Sequence, residues 1–239
     1  MNQIEKAKAF AALHKKGDPI VLYNIWDAGT AKAVTEAGAK ALATGSWSVA
    51  AAHGFADGEK LPMQVLVETA KSITAVIDLP LSVDFEGAYS AEPEGAAANA
   101  ARLVDVGAIG INFEDRVVAG EGLYPVESQA ARIRALRAMA DGRDIPFFIN
   151  ARTDLFLAEG DLAKHAGLVD EAIERGRAYA AAGGNGFFVP GLIDPALIEK
   201  ICAASSLPVN IMMRAGAPDV KTLAKLGVGR ISYGPGPYR

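Results

Sequence analysis

The chain has few cysteines, few histidines and no cluster of basic residues, and these shortages exclude several classes of protein. Among its 239 residues, Cys202 is the one cysteine, so neither an internal disulfide nor a cysteine-based zinc site is expected. Lysine and arginine are scattered and the formal net charge is −4, which argues against a nucleic-acid partner. We therefore expect small-molecule partners.

Long apolar stretches are also missing. The amino terminus lacks the apolar region of a signal peptide, and no run approaches the roughly 20 apolar residues of a spanning helix. This predicts a cytoplasmic protein without a membrane partner. Because 51% of the residues are hydrophobic and no linker interrupts the chain, we expect one domain over residues 1–239.

Short apolar runs alternate with longer segments of helical periodicity from one end of the chain to the other. This rhythm predicts a (β/α)₈ TIM barrel, and Gly38, Gly107, Gly183 and Gly227 are placed to end helices. A doubly wound sheet is the alternative, but no Gly-x-Gly-x-x-Gly follows the first run. The eight predicted strands are 20–26, 41–46, 81–85, 109–114, 147–151, 186–190, 209–213 and 230–233.

The sequence stops directly after the eighth predicted strand. The last seven residues are rich in glycine and proline, so the eighth outer helix is missing from the given chain. Either the chain is trimmed there or a neighbouring subunit covers that part of the barrel.

Carboxylates gather at the predicted carboxyl ends of neighbouring strands, where TIM barrels carry their active sites. Asp84, Glu86 and Glu114 end two strands, and Asp57 lies in the preceding loop. Such a set repels itself unless a cation is bound, and hard oxygen ligands suit Mg²⁺ or Mn²⁺. Helix capping, salt bridging or, for Asp57, a solvated turn are the alternatives.

His14 and His165 are expected to face solvent.

Substrate-binding candidates lie at the same predicted edge. Arg152 offers a planar fork for a carboxylate, although it could instead pair with Asp154 or Glu114. A second anionic oxygen could be held in a cradle formed by Ser46 and the backbone amides around Gly45 and Trp47. The predicted catalytic residues are Arg152 and Glu114, and the predicted substrate-binding residues are Gly45, Ser46, Trp47, Arg152 and Asn210.

Five stretches of the chain resemble the isocitrate lyase and phosphoenolpyruvate mutase superfamily. They read NIWDA at 24–28, TGS at 44–46, VDFEGAY at 83–89, NFED at 112–115 and ARTD at 151–154. The resemblance implies a Mg²⁺-dependent barrel with Asp84 as principal ligand and Asp57, Glu86 and Glu114 acting directly or through water. It also implies a homodimer or homotetramer whose subunits exchange the last helix.

The loop after the fourth predicted strand departs from the superfamily pattern. Residues 115–124 contain neither cysteine nor histidine, whereas isocitrate and methylisocitrate lyases carry a catalytic cysteine there. The lysine and the Asn-Ser pair of phosphoenolpyruvate mutase are absent as well. Isocitrate or methylisocitrate cleavage is therefore not expected.

Three functions remain open from the sequence. The first is a lyase or decarboxylase that breaks a carbon-carbon bond of a small 2-oxo or 2-hydroxy carboxylic acid through a pyruvate-type enolate. The second is a carbon-phosphorus enzyme like phosphoenolpyruvate mutase or phosphonopyruvate hydrolase, for which Arg116 or Arg214 could bind the phosphoryl group. The third is a metabolite-binding barrel without catalysis.

Overall fold

Nine parallel strands form one sheet in the computed structural model, which describes residues 1–117 and 120–239. Neighbouring strands in the sheet follow one another in the sequence, as the alternation of strands and helices predicts. The strands are β1 (Ile20–Leu22), β2 (Asn24–Ile25), β3 (Leu42–Thr44), β4 (Leu81–Asp84), β5 (Gly110–Glu114), β6 (Phe148–Arg152), β7 (Gly186–Phe188), β8 (Val209–Met212) and β9 (Arg230–Ser232).

A broken first strand closes the barrel. We predicted one strand over 20–26, but it is two short strands separated by Tyr23: β1 pairs with β9, and β2 pairs with β3. Asn24 bridges the break, because its Oδ1 accepts the amides of Tyr233 and Gly234 at 2.9 Å and its Nδ2 donates to the Thr44 carbonyl at 2.8 Å. The predicted TIM barrel is confirmed.

Helices follow most strands and cover the outside of the barrel. All four glycines predicted to end helices have positive φ, between 87° and 101°, so this prediction is confirmed. The helices are α1 (Gln3–Ala12), α2 (Ala28–Glu36), α3 (Ser46–Ala52), α4 (Met63–Thr74), α5 (Pro93–Asp105), α6 (Val126–Asp141), α7 (Leu155–Ala158), α8 (His165–Ala181), α9 (Pro195–Ala204) and α10 (Val220–Lys225), with a 3₁₀ turn at Leu162–Lys164.

The first helix plugs the lower, amino-terminal end of the barrel. Phe10 packs edge-on against Phe148 of β6 with ring centroids 5.2 Å apart, and it lies 5.9 Å below the guanidinium of Arg230. All three side chains are fully buried. Two aromatic rings and one buried guanidinium group therefore fill this end of the barrel.

Two histidines are not where the sequence predicted them. His14 stacks on Phe148 at 4.2 Å, and burial, followed by the charge of Arg230, lowers its pKa to about 3. His165 is 2% exposed, and its Nε2 donates to the Glu159 carbonyl at 2.9 Å. The prediction that both face solvent was wrong, because helical context alone does not tell which face is covered.

No helix in the described residues is long and apolar enough to cross a membrane.

Candidate functional site

A cavity of about 490 Å³ opens at the carboxyl ends of the strands. Its apolar wall is built mainly from Leu157, Phe188, Pro190, Met212 and Met213. The charged side chains in its lining are Asp57, Asp84, Arg152, Arg214 and Arg239. The cavity thus brings carboxylates and guanidinium groups together in one partly apolar space.

Asp84 ends β4 and is held from three sides. Its Oδ2 accepts the Ser46 amide at 2.9 Å, and its Oδ1 accepts the Asn112 side-chain amide at 3.2 Å. Its own amide donates to the Thr44 hydroxyl at 2.9 Å. Each carboxylate oxygen keeps a further acceptor site, so Asp84 is oriented but still able to bind a ligand.

Asp57 reaches the cavity from the loop before α4. Partial burial of its carboxyl group and then the nearby charge of Asp84 raise its pKa, while Arg152 and the Ser46 side chain oppose that rise. The sequence left this residue open between a metal ligand and a solvated turn. The structure places it beside Asp84 in the cavity lining.

Glu86 lies behind the cavity lining, in a turn after β4. Its Oε2 accepts the Glu59 amide at 2.8 Å, and the residue is 6% exposed. Burial, followed by the charges of Asp57 and Asp84, raises the pKa of Glu86 to about 8. Ionising this carboxyl group therefore carries an electrostatic cost.

Glu114 and Asp154 hold Arg152 between them. Arg152 Nη1 lies 2.9 Å from Glu114 Oε2, while its Nε and Nη2 donate to Asp154 Oδ1 and Oδ2 at 2.5 and 2.9 Å. Burial raises the pKa of Glu114 and Arg152 opposes it. Arg152 pairs with both acids that the sequence offered as alternatives, and it also lines the cavity, whereas Glu114 does not.

The segment 45–47 begins α3 with two of its amides already engaged. The Gly45 amide donates to the Ile25 carbonyl at 3.2 Å and the Ser46 amide to Asp84. The indole of Trp47 instead forms part of the wall, with the guanidinium carbon of Arg239 4.4 Å from its ring. The predicted amide cradle is therefore largely used within the protein, and all three residues line the cavity.

Asn210 lies below the cavity, inside the barrel. It is fully buried, its Oδ1 accepts the side-chain amide of Asn150 at 3.0 Å, and its Nδ2 donates to the Ser232 hydroxyl at 3.2 Å. Asn150 in turn donates to Asn112, which contacts Asp84. Asn210 is thus absent from the cavity lining and belongs to a polar network that supports it.

Sequence reasoning missed several residues of the site. Asn112 was noted only within a motif, although an inward-facing asparagine two residues before Glu114 on the same strand could have been placed by the two-residue period. Arg239 carries no sequence signal, because the path of the last residues follows no periodicity. Arg214, two residues after β8, lines the cavity as well, although the sequence suggested it only as a basic group for a phosphoryl unit.

The arrangement of carboxylates fits a divalent cation that retains much of its water. Within residues 1–117 and 120–239, no three acidic, histidine or cysteine side chains gather closely enough to form a ready-made metal site. Asp57 and Asp84 line the cavity, and Glu86 and Glu114 stand behind them. Mg²⁺ is commonly bound through one or two carboxylates plus water, and the raised carboxyl pKa values indicate a cluster short of positive charge.

Comparison with known proteins places this geometry in a family context. A profile described as phosphoenolpyruvate phosphomutase matches residues 10–239. A solved chain from Burkholderia cenocepacia J2315, provisionally described as a phosphonomutase, is 48% identical with a TM-score of 0.96, covering 99% of this chain and 94% of that one. An uncharacterized protein of Mycobacterium tuberculosis is 34% identical over 230 residues, 96% of this chain and 83% of its own length.

More distant relatives have named reactions. An oxaloacetate decarboxylase of Ectopseudomonas mendocina is 30% identical over 200 residues, 77% of this chain and 62% of its own length. Relatives also include 2-methylisocitrate lyases. The superfamily resemblance seen in the sequence is confirmed, and the relatives are carbon-carbon lyases or mutases.

Proposed function

Because the chain belongs to the phosphoenolpyruvate phosphomutase family, we propose that it is a divalent-metal-dependent lyase or decarboxylase acting on a small 2-oxo or 2-hydroxy carboxylic acid. The observation that carries the proposal is the placement of Arg152 beside Asp57 and Asp84 in one cavity. A cation-binding carboxylate pair next to a guanidinium suits a substrate with adjacent carboxylate and oxo or hydroxyl oxygens. The reaction would pass through a pyruvate-type enolate.

Arg152 can bind the substrate carboxylate without giving up its protein partners. Its bonds to Glu114 and Asp154 use three N–H groups, and a guanidinium has five. One N–H group on each terminal nitrogen is left for the substrate. Glu114 and Asp154 fix the plane of the fork, so the substrate carboxylate is oriented and not merely attracted.

The cavity wall limits the chemistry as well as the shape of the substrate. Its described lining contains no cysteine or histidine. Loss of CO₂ requires no proton on the leaving group, and water can protonate the enolate that remains. Decarboxylation of an oxaloacetate-like acid is therefore the simplest reaction for this set of residues. The apolar side of the cavity, with Phe188 and Pro190, excludes water from one face of the substrate.

Asp84 and Asp57 would hold the metal ion directly, with Glu86 and Glu114 acting through water. Bound there, a divalent cation would stabilise the negative charge that develops on the substrate as the carbon-carbon bond breaks. Asp84 is suited to this role because the Ser46 amide and Asn112 fix its carboxylate. Mg²⁺ is our first candidate for the ion and Mn²⁺ the second.

The proposal is tested by measuring pyruvate release from a panel of 2-oxo and 2-hydroxy dicarboxylates with and without Mg²⁺. Asp84→Ala should abolish turnover, whereas Asp170→Ala, at a surface position 86% exposed, should match the wild type. Release from a carbon acid that needs both Mg²⁺ and Asp84 supports the proposal. Equal release by Asp84→Ala and the wild type would refute it.

A carbon-phosphorus reaction is the second candidate, and one observation favours it. Arg214 and Arg239 line the same cavity as Arg152 and provide the additional positive charge that a phosphoryl group requires. Adding phosphonopyruvate to the panel separates the two reactions. Turnover of the phosphonate alone would establish the second candidate, and Mg²⁺ binding with no turnover of any compound would leave a metabolite-binding barrel.

A further inference from the structure

Arg132 of α6 is a buried cation close to the site but outside its lining. The residue is 1% exposed. Its Nη2 donates to the carbonyls of Gly87 and Ser90, the latter at 2.8 Å, and its Nη1 donates to Gln129 Oε1 at 2.6 Å. Within the described residues it makes no ion pair with a carboxylate, so its partners are mainly backbone oxygens of one turn.

That turn carries Glu86 in an unfavourable backbone conformation. Glu86, Ala88 and Tyr89 have φ values of 50°, 64° and 55°, a region that residues other than glycine rarely adopt. The Asn99 side chain donates to the Ala88 carbonyl at 3.0 Å, and the Tyr89 amide donates to Glu59 Oε1 at 2.7 Å. Such a turn persists only if surrounding groups hold it, and Arg132 binds both of its ends.

The same guanidinium is packed between two aromatic rings. Its central carbon lies 4.6 Å from the ring centroid of Phe113 in β5 and 4.3 Å from that of Tyr124. Tyr124 ends the loop 115–124, and its amide donates to the Asp115 carbonyl at 2.7 Å. Val118 and Ala119 of this loop lie outside the described residues. Arg132 therefore contacts the end of the loop and the Glu86 turn at once.

The helix face that carries Arg132 also reaches the second carboxylate behind the cavity. Gln129, one turn earlier, accepts from Arg132 and donates its Nε2 to the Glu114 carbonyl at 3.0 Å. Gln129 is fully buried. One face of α6 thus supports the backbone at both Glu86 and Glu114.

We propose that Arg132 is a positioning residue of the site: clamped between Phe113 and Tyr124, it holds the left-handed turn that places the Glu86 carboxylate behind the cavity lining to which Asp57 and Asp84 belong. It also couples the end of loop 115–124 to that carboxylate. The inference rests on the proposed function for its effect on metal binding and turnover. The coupling itself is a property of the fold.

Arg132→Met is the main test, and Arg137→Met is its matched control. Arg137 lies on the same helix, is part-buried and donates to backbone carbonyls of Phe147 and Gly183, away from the cavity. Both variants lose a cation that binds carbonyl groups. Arg132→Met should weaken Mg²⁺ binding, measured by titration calorimetry, about 10- to 100-fold, as changes to groups that orient metal ligands do, and lower kcat more than it raises KM. Arg137→Met should leave Mg²⁺ affinity unchanged.

Hydrogen exchange gives a readout that needs no activity. Arg132→Met should speed exchange of two amides beyond any change in Arg137→Met: that of Glu59, which donates to Glu86, and that of Tyr89 in the turn, which donates to Glu59. Tyr124→Leu should do the same, while Tyr124→Phe, which keeps the ring, should resemble the wild type. Arg132→Lys should be intermediate, because an ammonium group keeps the charge but not the planar fork.

Three results would overturn the inference. The first is unchanged amide exchange at Glu59 and Tyr89 in Arg132→Met. The second is an equal change of Mg²⁺ affinity in Arg132→Met and Arg137→Met. The third is amide exchange and Mg²⁺ affinity in Arg132→Lys equal to those of the wild type. A wild-type protein that neither binds Mg²⁺ nor turns over any substrate would refute the proposed function instead. In that case, amide exchange in Arg132→Met compared with Arg137→Met would still test whether Arg132 couples the end of loop 115–124 to the Glu86 turn.

Discussion

Replacing Glu86 with glutamine should remove a pH dependence from the stability of the metal-free protein. Burial and the charges of Asp57 and Asp84 raise the pKa of Glu86 from an ordinary 4.5 to about 8 in the folded state. Glutamine has nearly the same shape, carries no charge and keeps an oxygen that can accept the Glu59 amide. The substitution therefore removes the titration and little else.

The sign follows from a folded-state pKa that lies above the unfolded one. Below pH 4.5 the carboxyl is protonated in both states, so its contribution to stability is fully present. From pH 4.5 to about 8 the unfolded chain has released a proton that the folded chain keeps, and stability falls with rising pH. At about 1.36 kcal/mol for each pH unit, the loss reaches about 5 kcal/mol.

The assay is denaturant unfolding in a metal chelator at a series of pH values across that window. The free energy of unfolding of the wild type relative to Glu86→Gln should fall by about 5 kcal/mol from the acid to the alkaline end. Glu127→Gln, at a position 87% exposed, should follow the wild type. Added Mg²⁺ should flatten the wild-type curve, since a cation favours the ionised carboxylate. Parallel curves for the wild type and Glu86→Gln would refute the reasoning.

Three further substitutions test the site and the fold. Arg152→Lys keeps the charge but cannot bind Glu114 and Asp154 as a fork, so kcat/KM should drop roughly 100-fold. A drop under threefold would contradict the substrate-binding role of Arg152. Phe10→Ala empties the plug of the barrel and should cost about 3–5 kcal/mol in denaturant unfolding, with an unchanged unfolding free energy as the contrary result. Gly191 has a φ of 93°, and Gly191→Ala would place a Cβ 2.6 Å from the Phe156 carbonyl oxygen. The variant should lower the free energy of unfolding by roughly 3 kcal/mol. An unchanged free energy of unfolding would show that the neighbouring backbone moves away without cost.

The parts of the protein that follow a local rule could be predicted from the sequence. Alternating apolar runs gave the barrel, and the rule that function lies at the carboxyl ends of strands selected Asp84 and Arg152, which both line the cavity. Glycine after a helical segment located the helix ends, as at Gly107 and Gly183. In each case the signal lies within a few residues of the feature it predicts.

The parts that depend on packing between distant segments could not be predicted. Glu86 lies just beyond Asp84, the last residue of β4, but the left-handed turn takes Glu86 behind the cavity lining. Arg132 contacts that turn at Gly87, from 45 positions further along the chain. Asn210 points into the barrel but lies near the beginning of β8, below the cavity that Met212 reaches at the end of the strand. The two-residue period of a strand tells which face a side chain is on, but not how high in the barrel it lies. The break at Tyr23 arises from closing the ring, which no local pattern reports.

The plugged lower end of the barrel has a kinetic consequence. Because Phe10, Phe148 and Arg230 fill that end, a small molecule in the cavity cannot leave through the bottom of the barrel and leaves on the side of the strands' carboxyl ends. Product and incoming substrate then use the same side of the cavity and cannot occupy the cavity at the same time. Added product should accordingly inhibit in competition with substrate, and turnover should become limited by departure once the bond-breaking step is fast.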